Sequence, residues 1–66
     1  MKKLNRIKIV LAIAGVKGKD VAAHLGHTES TVSRWCTNDI QPSIETLFKI
    51  AEFVKVDVRE LINSKP

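Results

Sequence analysis

The stretch Gly18-Lys19-Asp20-Val21-Ala22-Ala23-His24-Leu25-Gly26-His27-Thr28-Glu29-Ser30-Thr31-Val32-Ser33-Arg34-Trp35 is the most constrained part of this 66-residue chain. A helix is predicted from about Gly18 to Leu25, with Asp20 in its first turn, where the helix dipole favours a negative charge. Gly26 then supplies the positive φ that a tight turn needs. Thr28 has the chemistry of an N-cap for a second helix running to about Cys36. Two short helices joined this way must cross closely. Ala22 falls at the crossing, where a longer side chain would push them apart, and Val21, Leu25, Val32 and Trp35 are the apolar contacts that fix it.

Working outward, Leu4, Ile7, Val10, Leu11 and Ala14 repeat at helical spacing and form one stripe, ended by Gly15. Beyond Trp35, Asn38 tolerates the left-handed conformation that closes a helix. Pro42 and Ser43 mark the next start, and Ile44, Leu47, Phe48, Ala51 and Val54 repeat at three and four. Asp57 and Glu60, three apart ahead of Leu61 and Ile62, resemble a capping box opening a short last helix. The alternation Val54-Lys55-Val56-Asp57-Val58 reads as a helix end, a tight loop and a new cap rather than a strand. The expected fold is all-α, with five short helices around one core. It is a single domain over residues 1–66, with an ordered core of about 4–63 and a frayed Ser64-Lys65-Pro66.

Composition agrees and narrows the function. The chain is 44% hydrophobic and 27% charged, which fits a folded globular domain and argues against disorder. Its net charge of +4 is unevenly placed. Residues 1–19 hold Lys2, Lys3, Arg6, Lys8, Lys17 and Lys19 and no acid, whereas the remainder is net negative. A basic end suits a polyanion, although a solvated basic face is the plainer reading of charge alone. One cysteine, Cys36, leaves no internal disulfide and no paired-cysteine metal site. His24 and His27 lack a carboxylate or thiol at ligand spacing, so no metal is expected, and no cofactor either. Ser33, Cys36 and the histidines suggest a hydrolase only superficially, without a nucleophile elbow or oxyanion device, and no enzyme is expected. The start imitates a secretion signal, but Lys8 interrupts its apolar run, and cleavage would remove a helix that the rest needs. No run reaches the roughly 18 apolar residues that span a bilayer, so a cytoplasmic location is expected.

The spacing from Gly18 to Trp35 is that of a DNA-binding helix-turn-helix. Further pieces fall in a matching order: Asn5-Arg6-Ile7-Lys8, Gln41-Pro42-Ser43-Ile44-Glu45-Thr46-Leu47, Ile50-Ala51-Glu52 and Val56-Asp57-Val58-Arg59-Glu60-Leu61. Together, over Asn5 to Ile62, they resemble the Xre/Cro-like, phage-repressor type of helix-turn-helix protein. The likeness is greatest to short stand-alone bacterial regulators with Trp-Cys-Thr-Asn after the recognition helix. The resemblance implies a lambda-repressor-like domain that regulates transcription. It would act as a repressor, binding double-stranded DNA at a palindromic operator as a homodimer, with the third helix in the major groove. Some positions depart from the family pattern. Gly18 stands where Gln is common, His27 where the turn is often apolar, and Asn38-Asp39 where Gly and a basic residue are usual. Leu11 and Cys36 replace a polar Arg–Glu pair together, so Cys36 is expected to pack on the first helix rather than serve as a redox thiol.

On the third helix Val32 and Trp35 point inward, which leaves Glu29, Ser30, Thr31, Ser33 and Arg34 for base edges. The resemblance assigns reading to Glu29, Ser30 and Arg34. Arg34 suits guanine O6 and N7, with an exposed ion pair as the alternative. Glu29 can accept from cytosine N4 or simply complement the helix dipole. Phosphate contacts are expected from Lys17, Gly18 and Lys19 on one side and from Thr28, Thr37, Asn38 and Gln41 on the other. On DNA, Lys2, Lys3 and Arg6 would extend along the backbone or into a minor groove; without DNA a disordered, solvated tail is expected.

Ile9, Ala12 and Ile13 lie off the first helix's core stripe. They form either an interface or a surface that the fourth or fifth helix covers. Phe53, Val58 and Ile62 offer a second candidate interface. A competing function is therefore an antitoxin or protein-interaction subunit that uses the apolar face of the first helix.

Overall fold

The computed structural model describes residues 4–62. The expectations for Lys2, Lys3, the core's end at residue 63 and Ser64-Lys65-Pro66 lie outside the described residues. Four α-helices form, α1 (Ile7–Ala14), α2 (Gly18–Leu25), α3 (Glu29–Cys36) and α4 (Ile44–Val54), followed by a 3₁₀ turn at Val58–Leu61. The fifth α-helix is thus corrected to a single 3₁₀ turn. Its shortness has a cause. At Ile62 the backbone becomes extended and forms an antiparallel bridge with Asn5, while the Arg6 N–H donates to the Leu61 carbonyl at 2.8 Å. A longer helix would carry Ile62 away from that partner.

Local chemistry sets the helix ends. The Thr28 hydroxyl accepts the Thr31 N–H at 3.1 Å, and Ser43 does the same for Thr46 at 3.1 Å. Gly15, Gly26 and Asn38 take φ values of 71°, 74° and 62°, as their places after helices require. Lys55 closes α4 at φ 60°, a left-handed position that nothing in the sequence marks. Asp57 caps the 3₁₀ turn through the Arg59 N–H at 2.9 Å rather than in a reciprocal box with Glu60. The Arg59 guanidinium also donates to this carboxylate at 3.1 Å, which holds Asp57 below the usual carboxylate range.

The core gathers Ile7, Val10 and Leu11 from α1, Val21 and Ala22 from α2, and Val32 and Trp35 from α3. Ile50 and Ala51 of α4 and Leu61 complete it. α2 packs on both α3 and α4, while the 3₁₀ turn is wedged against α1 and α4. Ile7, Ile50 and Leu61 lose all contact with solvent, each burial being worth about 1.5–3 kcal/mol.

Two expected stripes shift. Leu4 precedes α1 and is exposed, as is Ala14, so the α1 stripe is Ile7, Val10 and Leu11. On α4, Ile44 and Phe48 face outward, and the buried side is Leu47, Ile50, Ala51 and Val54. Both registers satisfy the same spacing of three and four, and packing against α2 and the 3₁₀ turn selects between them. Among the described residues no helix covers the off-stripe face of α1: Ile9 is 52% and Ile13 81% exposed.

Candidate nucleic-acid interface

α3 is held by its inward side chains, Val32 fully buried and Trp35 nearly so. That fixes which residues look outward. Glu29, Ser30, Ser33 and Arg34 are exposed, and Thr31 is half-buried. Thr31 is turned back to the cap, where its hydroxyl accepts from the Thr28 hydroxyl at 3.0 Å. The Thr28 proton that a phosphate would take therefore rests on Thr31.

The first turn of α2 lies alongside this face. Lys17, Gly18 and Lys19 share one open groove of about 410 Å³ with Glu29 and Ser33 of α3. The Asp20 carboxylate accepts the Lys17 N–H at 3.2 Å and fixes the entry to α2. A Cβ at Gly18 would meet Val32 Cγ1 at 3.5 Å, ordinary contact, so the position is open to larger residues. The groove thus joins three residues expected at phosphates to two expected at bases.

At the other end of α3, Arg34 Nε lies 3.8 Å from Asp39 Oδ2, with the two side chains 61% and 53% exposed. So solvated a pair gains at most a few tenths of a kcal/mol to about 1, and it leaves Arg34 able to exchange partners. Thr37 is exposed, its hydroxyl donating to the Arg34 carbonyl at 3.3 Å.

Asn38 turns its side chain into the fold. Its side chain is buried, and Oδ1 accepts the N–H groups of Leu4 and Asn5, both at 2.9 Å. Nδ2 of Asn38 donates to the Asn5 carbonyl at 3.2 Å. Gln41 closes the network, donating to Asn38 Oδ1 at 3.1 Å and accepting from Asn5 Nδ2 at 2.7 Å. The amides of Asn38 and Gln41, expected at phosphates, are thus engaged in fixing the chain's start beneath the end of α3. Asn5 is the organiser that sequence reasoning missed. Nδ2 of Asn5 also donates to the Trp35 carbonyl at 2.9 Å, and its Oδ1 accepts the Ile7 N–H at 3.0 Å. An Asn two residues ahead of a helical stripe is the signal that was available.

Three neighbours complete the surroundings. His27 meets Trp35 edge-on at 5.0 Å and pins the α2–α3 turn, and His24 stacks on Phe53 at 4.2 Å. Phe53 and Val58, two of the three residues of the expected second interface, are instead half-buried against the core. Cys36 is half-buried in a groove with Lys8 and Ile9 of α1. Burial pushes its thiol up, and the Lys8 charge offsets this only in part. Lys8 is a cation that sequence adjacency did not reveal. Among the described residues no group of three His, Cys, Asp or Glu is placed to hold a metal, and no helix is long and apolar enough to cross a membrane.

A family model described as helix-turn-helix matches residues 7–61. A crystallised protein from Bacteroides fragilis, itself described as a candidate DNA-binding protein, is 50% identical. The match covers 91% of this chain and 97% of that one, with a TM-score of 0.90. Among curated proteins none matches.

Proposed function

Starting from the fact that the chain belongs to the helix-turn-helix family, we propose that it is a cytoplasmic transcriptional regulator that binds double-stranded DNA. It recognises a palindromic operator as a homodimer, inserts α3 into the major groove, and represses by occupying promoter sequence. The observation that carries this is the groove shared by Lys17, Gly18 and Lys19 with Glu29 and Ser33. Phosphate-seeking cations there border side chains that can reach base edges, the pairing that a groove-bound helix needs. The description of the Bacteroides fragilis protein as a candidate DNA-binding protein points the same way.

In this reading Arg34 leaves Asp39 and donates two hydrogen bonds to guanine, worth about 1–3 kcal/mol of discrimination. Ser30, Ser33 and Glu29 take neighbouring base edges, and Thr31 covers a thymine methyl. Lys17, Lys19, the Gly18 N–H and Thr37 hold phosphates, and Thr28 joins them by turning its hydroxyl proton away from Thr31. Asn38 and Gln41 act as positioning residues, setting where Thr37 and Arg34 stand. In vitro selection from random duplex DNA at near-physiological salt tests the proposal. A two-fold consensus with half-sites about 10 bp apart is expected, and Arg34→Ala should erase one guanine from each half. Binding without enrichment would sink it.

A second reading, a protein-interaction or antitoxin subunit, draws on the uncovered face of α1, where Ile9 and Ile13 stand in solvent. A stoichiometric protein complex that survives Arg34→Ala would favour it.

A further inference from the structure

Ile44 and Phe48 stand one turn apart on the outer face of α4, 73% and 57% exposed, with the exposed Ile40 just ahead of the helix. Beside them runs a second pair at the same spacing, Glu45 and Lys49, both exposed. Neither enters the two ion pairs found among the described residues, Arg34–Asp39 and Asp57–Arg59. We infer that a second copy of this chain docks on this face, α4 against α4, antiparallel about a two-fold axis. The inference deepens the homodimer of the proposed function and names its surface.

The face is complementary to itself. A two-fold axis between Thr46 and Leu47 brings each Ile44 to the partner's Phe48 and each Glu45 to the partner's Lys49. Both pairings match to within one residue's rise, about 1.5 Å along the helix. In an antiparallel helix pair the same flank of each helix meets its own copy, so the charged row meets the charged row with signs opposed. The other apolar face lacks this property. Ile9 and Ile13 on α1 lie in a segment whose described charges, Arg6, Lys8, Lys17 and Lys19, are all positive. Glu60 lines the groove beside Ile13, but α1 itself offers no acid to meet these cations, so a second copy docked α1 on α1 would set like charges together.

Three apolar side chains, Ile40, Ile44 and Phe48, make up the patch, few against the roughly 20–30 residues that each partner gives to a standard interface. Association without DNA is therefore weak and concentration-dependent, and it strengthens when one duplex holds both copies. α4 follows directly on the loop after α3, so the same axis sets the spacing of the two α3 helices.

Sedimentation equilibrium of the full chain without DNA tests this independently of any operator. The mass is expected to rise with concentration from 7.4 kDa toward twice that value. Phe48→Glu, at a side chain outside the core, should weaken the dimer by more than about tenfold. Glu45→Lys and Lys49→Glu should each weaken it, and the double reversal should restore it, which a purely structural role would not do. Ile13→Glu should leave it intact. A monomer at every reachable concentration, a dimer indifferent to Phe48→Glu, a double reversal without rescue, or a dimer lost with Ile13→Glu would each overturn the inference. Failure here with a two-fold consensus in the DNA selection would leave the operator reading standing and remove only this surface.

Discussion

Asn38 carries two demands on one side chain. Its backbone takes φ 62° to turn the chain out of α3, and its amide satisfies the N–H groups of Leu4 and Asn5. Asn38→Gly separates them, since glycine keeps the conformation and removes the amide. An orphaned buried donor costs about 1–3 kcal/mol, against a margin of roughly 3–5 kcal/mol for a core of this size. Urea unfolding is therefore expected to show Asn38→Gly losing a large part of its stability. An unchanged midpoint would mean that the amide contributes nothing. Beside it, the pair of Arg34 and Asp39 places an acid next to a residue expected on a base; in the proposed function Asp39 therefore weighs against binding, by holding Arg34 and by repelling phosphate.

Among the elements, the α2–α3 unit rests on the turn at Gly26. A Cβ there would meet nothing within 4 Å, so the whole penalty of Gly26→Ala lies in φ 74°. About 1–2 kcal/mol is expected, read as a lower melting temperature, with DNA affinity unchanged once corrected for the folded fraction. The four helices were legible in the sequence because their signals are local. Thr28 and Ser43 cap as hydroxyl residues do, and Gly15, Gly26 and Asn38 occupy left-handed positions. On α4 the expected Leu47, Ala51 and Val54 do turn inward, but the edge of the stripe was not legible, because Ile44 and Phe48 fit the apolar period as well as Ile50 does. The end of the chain escaped for a different reason, since the 3₁₀ turn is cut short by Asn5, more than fifty residues upstream. At the site, the outward face of α3 followed from Val32 and Trp35. The engagement of Asn38 and Gln41 did not, because their partner Asn5 lies 33 and 36 residues away in sequence.

Across the whole molecule, charge is arranged rather than merely positive. The first nineteen residues hold six of the eleven cations and none of the seven acids, and Lys17 and Lys19 bring that charge to the groove. In the proposed function Lys19→Ala weakens binding to every sequence alike. It should reduce the slope of log affinity against log salt by about 0.9, one phosphate's share. Asp39→Asn should tighten binding at low salt, and the gain should shrink as screening grows. A salt titration by fluorescence anisotropy measures both.

The bridge between Asn5 and Ile62 also has an architectural consequence. The described chain enters and leaves the fold at one point, running in opposite directions, so its two ends are the two legs of a hairpin. The domain is therefore geometrically suited to being spliced into the surface loop of another protein, where a host loop opens by little more than a strand spacing to accept it. The join would lie beneath the end of α3.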